Sequence, residues 1–384
     1  MSKRRPSGDG MIRKRADGRW EGRIVIGHKQ DRSPIFRYFS AKTQRDLMEK
    51  LAQNKQEFEG VDLREDCTMP LESWLDQWLE EYAAPAIRPS TYQGYKNDLE
   101  KYLKPALGNI PVCRLTREQV QKFYGELLEH GRLRPDKDGN RGLSPSTVRS
   151  LHGVLHQAMD CALRERLCAA NPTEGVVLPK KETAEMKILN DEQLERFMES
   201  IRDDDTWHDF FYTEITTGLR LGEICGLRWE DMDWEKGILR VRRSVRKENG
   251  RIVVGETKTA QGRRDIELPP STVELLRRRK ADGFTEAWIF PDGFDTKSPM
   301  HPEKVYRKLK EILQKNDLPN LRFHDLRHTF ATHALSSGVD PKTLSGLLGH
   351  SKASFTLDTY THVTQDMQRK AADIVGGFLE ELMA

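Results

Sequence analysis

Hydrophobic positions along the chain change their spacing from one stretch to the next, and each spacing predicts a different kind of unit. Between Met11 and Phe39 they come in short strand-like runs separated by turns. Met11–Arg15 reads as a first strand, Ala16-Asp17-Gly18 as a turn, and Arg19–Gly27 as a second strand holding Trp20, Ile24, Val25 and Ile26. Asp31–Pro34 marks the next turn and Ile35–Phe39 a third strand. Thr43 then caps a helix running to about Phe58, with Leu47 and Leu51 four apart on one face.

From about Thr68 to Pro172 the period becomes helical. Trp74, Leu75, Trp78 and Leu79 form one apolar stripe, and Pro89-Ser90-Thr91 opens a helix holding Tyr92, Tyr95, Leu99 and Leu103. Thr116 followed three residues later by Gln119 is a capping-box pattern ahead of Val120, Phe123, Leu127 and Leu128. The stretch Leu133–Gly142 is too polar for a core, and Ser144-Pro145 starts a helix carrying Val148, Leu151, Val154, Leu155, Met159 and Leu163. These predict four helices around one core.

Gly175–Lys187 reads as a linker, and from Ile188 the pattern is mixed. Asp209–Thr217 is an apolar helix that breaks at Gly218, and a second helix begins near Leu219 with Leu221, Ile224 and Leu227 inward. A meander of strands follows: Ile238–Val241, a hairpin at Asn249-Gly250, Ile252–Val254, and a return at Arg264–Leu268. Further on, Leu326, Phe330 and Leu335 share one helical face, and Leu344, Leu347 and Leu348 predict a short helix ending at Gly349. Residues 367–384 carry Ala371, Ile374, Val375, Phe378, Leu379 and Leu382, a tail helix that packs on its own domain or on a neighbour. The expected architecture is a multidomain α+β protein. It has a three-stranded sheet plus helix in residues 1–64, a helical domain in 65–174, a linker in 175–187 and a mixed α/β domain in 188–384.

Composition narrows the class. Charged residues make up 32% of the 384, yet Lys plus Arg (63) nearly balance Asp plus Glu (60), so net charge alone does not argue for nucleic acid. Placement does. Arg13, Lys14, Arg15, Arg19, Arg23 and Arg37 are expected on the open face of the N-terminal sheet, and Lys180 and Lys181 on the linker, where each could meet a DNA backbone. No apolar run approaches the roughly 18 residues of a membrane span. The start Met1–Pro6 is basic without an apolar segment behind it, so it is not read as a secretory signal. Five scattered cysteines suit free thiols in a reducing compartment, so a cytoplasmic location is expected.

The chemistry-bearing residues sit in the last unit. Arg220, between Gly218 and Gly222, can fork onto a phosphate or pair with Glu223 or Asp231. Lys258 lies on a hairpin tip, with Arg263 and Arg264 as basic alternatives. His324, Arg327 and His328 fall three and four apart on one helix side. His324, His328 and His350 could chelate a metal, but the cation of Arg327 between them opposes this and favours an anion. Tyr360 stands in a polar stretch, and a phenol of pKa about 10 needs cationic neighbours and a proton acceptor to act as a nucleophile.

Thr217-Gly218-Leu219-Arg220-Leu221-Gly222-Glu223, His324-Asp325-Leu326-Arg327-His328, Leu348-Gly349-His350-Ser351 and Asp358-Thr359-Tyr360 resemble, in order and spacing, the signature boxes of the tyrosine recombinase, or phage integrase, family. The helical unit resembles that family's core-binding domain, and the N-terminal sheet the arm-binding domain of conjugative-transposon integrases. The resemblance implies a site-specific DNA strand transferase working through a 3′-phosphotyrosyl bond to Tyr360. Arg220 and Arg327 would clamp the phosphate, Lys258 protonate the leaving 5′-oxygen, His324 accept the tyrosine proton and His350 hydrogen-bond the phosphate. It implies no cofactor, neither ATP nor metal. The implied partners are double-stranded DNA at core and arm sites and a homotetramer on that DNA, with room for an excision factor and a DNA-bending protein. Alternatives are a chromosome-dimer resolvase of the same family, a type IB topoisomerase, a non-catalytic regulator with this fold, and a metallohydrolase. The resolvase is disfavoured by the N-terminal β module, and the regulator by the complete nucleophile and clamp set.

Overall fold

The computed structural model describes residues 11–349 apart from 30, 59–60, 182–185, 249, 258–261, 284–286 and 294. The chain divides into two compact units, Met1–Thr183 and Ala184–Ala384.

In the first unit, β1 (Ile12–Lys14), β2 (Trp20–His28) and β3 (Pro34–Ala41) form an antiparallel sheet in that order. Helix α1 (Gln44–Glu57) begins where the Thr43 hydroxyl accepts the Asp46 N–H, as its sequence predicts. Leu47 and Leu51 of α1 are buried with Ile24, Ile26 and Ile35 of the sheet. A Cβ on Gly22 would lie 2.7 Å from Leu51 Cδ1, so the glycine lets the helix settle onto β2.

Strand register corrects the expected basic face. Arg13 opposite Glu21 and Arg23 opposite Tyr38 point away from α1. Arg15 and Arg19 close the turn of the same hairpin. Lys14, opposite Trp20, and Arg37, opposite Ile24, fall on the helix-bearing face instead. Their side-chain parity is odd relative to Arg13 and Arg23, and a period of two allows no other outcome. The Arg37 guanidinium accordingly lies 5.3 Å from the centre of the ring of Phe58, a core residue beneath the sheet.

The helical part holds α2 (Leu71–Gln77), prolonged by a π-helical turn, and α3 (Pro89–Asp98), which runs through another such turn into α4 (Lys104–Leu107). Then come α5 (Arg117–His130) and α6 (Pro145–Arg164). Trp74, Leu103, Val120, Phe123, Leu151 and Leu155 share one core, and the Trp74 indole donates to the Ala158 carbonyl at 3.0 Å, tying α2 to α6. The Thr116–Gln119 capping box is present in both directions, and Ser144 caps α6. The first part of the linker is docked. Val177 exchanges two hydrogen bonds with the Gln121 side chain, and Arg149 donates to the Pro179 carbonyl. Lys180 and Lys181 follow, both exposed.

The second unit opens with α7 (Asp191–Glu199), α8 (Asp205–Thr217) and α9 (Leu221–Cys225). The strands β4 (Met232–Asp233), β5 (Ile238–Val241), β6 (Arg243–Glu248), β7 (Arg251–Glu256) and β8 (Arg264–Glu267) follow. It closes with α10 (Pro270–Ala281), β9 (Pro291–Asp292), β10 (Asp295–Pro299), α11 (Pro302–Lys315), α12 (Phe323–Ser336) and α13 (Pro341–Leu348). The predicted meander splits in two. β5 pairs with β4 and β8 over the core, whereas β6 and β7 form their own hairpin, with Glu248 paired to Arg251 around Gly250 at φ +80°. The reason is composition: β5 buries Leu239 and Val241, while β6 buries only Val245 among arginine, lysine and glutamate. Phe197, Phe210, Phe211 and Phe290 pack edge-on in the main core. Ala331, Leu335, Leu344 and Leu348 form a smaller cluster that seats α13 on α12.

Candidate active site

The site grows from the end of α8. Gly218 stops that helix in the left-handed conformation (φ +60°), and a Cβ there would lie 2.4 Å from Phe330 Cδ1 and 3.0 Å from Leu348 Cδ2. Without a side chain, Gly218 lets the end of α8 meet α12 and α13 directly. Its carbonyl accepts Arg327 Nη1 at 2.7 Å, and Arg327 Nη2 donates to the Leu348 carbonyl at 2.5 Å. Arg327 is only 1% exposed. Burial first, and then the cations of Arg220 and Arg264, bring its pKa down to about 10, still far above neutrality.

Arg220 is the N-cap residue of α9. Its Nη1 donates to Glu223 Oε1 at 2.7 Å, its backbone N–H donates to Glu223 Oε2 at 3.1 Å, and its Nη2 donates to the Gly349 carbonyl at 3.0 Å. Of the two ion-pair partners expected for Arg220, Glu223 is therefore the one it takes, while Asp231 pairs with Arg243. Glu223 is 3% exposed. Burial alone would raise its carboxyl, but Arg264 and Arg220 beside it hold it below the usual range, so it stays ionised.

His324 and His328 lie on α12 with ring centres 4.8 Å apart, edge to face. Partial enclosure, then His328, Arg327 and Arg220, push His324 down to about 4. Its residue surface stays open on one side, and solvent there tempers the shift. The imidazole is neutral at neutral pH and can accept a proton. His328 is lowered too, first by burial. Among the described residues no group of three or more His, Cys, Asp or Glu is placed to hold a metal.

Arg220 and Arg327 are thus brought together at the C-terminal end of α13, with His324 near enough to both to feel their charges. Lys258, His350, Tyr360 and the tail helix lie outside the described residues, although Gly349, which Arg220 holds, immediately precedes His350.

The sequence offered Arg264 only as a basic alternative to Lys258, and it did not single out Glu214. Arg264 is a buried cation at an inward position of β8, in register with Ile266. Glu214 is fully buried on α8, and neither of its oxygens has a hydrogen-bond partner among the described residues. Burial raises its carboxyl well above the usual range, against the pull of Arg327, and so favours its protonated form. In each case the signal was a charge at an inward position of a periodic element, Arg264 alternating with Ile266 and Glu214 sharing a helical face with Phe210 and Phe211.

A buried guanidinium, a second arginine at a helix start and a neutral imidazole beside them form a cationic cluster that suits an anionic group. Two family models match the chain: the phage integrase family over residues 187–367, and the phage integrase N-terminal SAM-like domain over residues 71–128. The protein belongs to the tyrosine recombinase, or phage integrase, family and is a site-specific DNA recombinase that cleaves and rejoins DNA through a tyrosine intermediate. It is 26% identical to a tyrosine recombinase XerC-like protein of Caldanaerobacter subterraneus subsp. tengcongensis, over 91% of this chain and 94% of that one. It is also 26% identical to the ICEBs1 integrase of Bacillus subtilis, over 87% and 90%. Among solved structures, the Tn1549 transposon integrase in complex with transposon right end DNA matches with TM-score 0.68 at 22% identity, over 80% of this chain and all of that one. The lambda integrase tetramer bound to a Holliday junction matches with TM-score 0.57 at 18% identity, over 91% and 97%. At these identities the structural likeness shows the fold alone.

Proposed function

We propose that Tyr360 attacks the scissile phosphorus, forming a 3′-phosphotyrosyl bond and releasing a 5′-hydroxyl. Arg220 and Arg327 neutralise the non-bridging oxygens as charge builds in the transition state, His324 takes the phenolic proton, Lys258 protonates the departing oxygen, and His350 hydrogen-bonds the phosphate. The 5′-hydroxyl of a partner strand then attacks the phosphotyrosine and reseals the DNA. The phosphodiester's free energy is kept in the covalent bond, so the cycle needs neither ATP nor a metal.

The observation that carries this reading is the convergence of Arg220 and Arg327 on the segment leading into His350, with neutral His324 beside them. Three guanidinium groups, those of Arg220, Arg327 and Arg264, surround the carboxylate of Glu223, which leaves this cluster positive for an anionic substrate.

Residues 1–64 act as an arm-site DNA-binding domain through Arg13, Arg15, Arg19 and Arg23, 65–174 as a core-site domain, 175–187 as a linker laying Lys180 and Lys181 along the DNA, and 188–384 as the catalytic domain. Strand exchange between two duplexes calls for a tetramer on DNA, and the lambda integrase tetramer on a Holliday junction supports that assembly. An excision factor and a bending protein complete the set of partners, and the enzyme works in the bacterial cytoplasm at the nucleoid.

The test is a nicked suicide duplex carrying candidate element ends, incubated in EDTA without ATP and run on a denaturing gel beside Tyr360→Phe. A covalent protein–DNA adduct that is absent from Tyr360→Phe is the expected result. Tight binding without an adduct, even with host lysate added, would mean a regulator that has kept only the fold.

A further inference from the structure

Arg264 does more than fill the core. It opens β8, its side chain is 7% exposed, and each of its three nitrogens is engaged by protein. Nη2 donates to Glu223 Oε2 at 2.9 Å, Nε to the Leu347 carbonyl at 2.5 Å, and Nη1 to the Gly262 carbonyl at 3.2 Å. Glu223 Oε2 is the same oxygen that accepts the Arg220 backbone N–H, and its other oxygen holds the Arg220 side chain. Arg264 therefore fixes the carboxylate that fixes Arg220.

The other end of the fork completes a pattern. The last carbonyls of a helix lack intrahelical partners and form the negative end of its dipole. Here the carbonyls of Leu347, Leu348 and Gly349 are taken in turn by Arg264, Arg327 and Arg220. Three guanidinium groups from three different elements thus lock the end of α13, just before His350. Two of them carry the phosphate clamp, and the third joins both to the strand that follows the segment holding Lys258.

We propose, on the basis of the recombination chemistry assigned above, that Arg264 is a positioning residue for strand cleavage. It orients Arg220 through Glu223 and anchors the α13 terminus that bears the next phosphate contact. It is not the acid that protonates the leaving group, because its nitrogens are committed to protein acceptors. A lysine cannot replace it, since a single ammonium does not span Glu223 and the Leu347 carbonyl in a planar fork.

The experiment measures single-turnover cleavage by full-length wild type, Arg264→Ala, Arg264→Lys and Tyr360→Phe on three suicide duplexes. One carries an ordinary scissile phosphodiester, one a neutral methylphosphonate and one a 5′-bridging phosphorothiolate, whose sulfur leaves without a proton. DNA affinity is measured alongside. Arg264→Ala is expected to cleave the ordinary linkage about 10²-fold more slowly, the scale of a displaced catalytic group, with DNA affinity nearly unchanged. Arg264→Lys should be equally impaired. The loss should shrink on the methylphosphonate, which presents less charge for Arg220 to stabilise, and persist on the phosphorothiolate.

Wild-type rates in Arg264→Ala, or an equal loss on all three linkages, overturn the proposal. So does rescue by the phosphorothiolate, which would make Arg264 the acid. If Arg264→Ala does not fold, the substrate comparison in Arg264→Lys decides by the same criteria. Failure of wild type itself to form an adduct overturns the parent chemistry, whereas failure of the Arg264 effect in an active wild type overturns only this role.

Discussion

A cation buried in protein needs acceptors, and in this catalytic unit the acceptors are backbone carbonyls that a helix end leaves open. That exchange explains how Arg327 stays charged at 1% exposure. Glu214 shows the opposite case, a carboxyl whose burial without a hydrogen-bond partner among the described residues favours its protonated form. Its folded pKa lies above its unfolded one, so its contribution to stability is complete at low pH and is lost as pH rises through the folded value. Replacing it with Leu, which needs no hydrogen bond, should stabilise the catalytic unit by about 1–3 kcal/mol. It should also flatten the decline in stability as pH rises above the usual carboxylate range, compared at pH 5 and pH 8. Thermal unfolding at the two pH values measures this, and a variant whose profile parallels wild type would show that Glu214 is ionised or paired. Residues such as Arg220, His324 and Arg327 were legible because their types and spacing are tied to the chemistry. Arg264 was read only as a stand-in for Lys258, because its partners lie 41 and 83 positions away in sequence.

At the scale of elements, caps and breaks were the most readable features. Thr43, Thr116, Ser144 and the stop at Gly349 all sit where local backbone chemistry requires them. The split of the strand meander was less readable, because pairing partners depend on which strands can reach the core. Gly218 joins both levels: it ends α8, gives room to Phe330 and Leu348, and offers Arg327 its carbonyl. Gly218→Ala adds left-handed strain and a steric clash, together about 2–4 kcal/mol. Adduct formation should therefore fall more steeply than DNA binding, because the displaced carbonyl takes Arg327 with it. Chemical denaturation combined with the adduct assay checks both, and unchanged stability would mean that Phe330 moves aside freely.

At the scale of the whole molecule, the proposed DNA contact by the N-terminal sheet depends on which of its faces is basic. Arg23 lies on the face away from α1, with its guanidinium 3.9 Å from the centre of the Phe36 ring, and Arg37 lies on the other. Arg23→Ala should weaken arm-site binding uniformly across sequences and lower the salt slope by about 1, the signature of one lost phosphate contact. Arg37→Ala should leave the slope unchanged. Filter binding across a salt series distinguishes the two, and a larger loss for Arg37→Ala would place the DNA on the helix side.

The amino-acid sequence by itself determined the order of the units, most helix starts and stops, and which residues are proposed to handle the phosphate, because periodicity, capping and side-chain chemistry are local properties. Only the tertiary structure decided which basic residues share a sheet face, which carbonyls the arginines occupy, and that the carboxyl of Glu214 is pushed up by burial while that of Glu223 is held down by its arginines. Those outcomes depend on burial and on partners distant in sequence, and burial is what sets the cost of a charge.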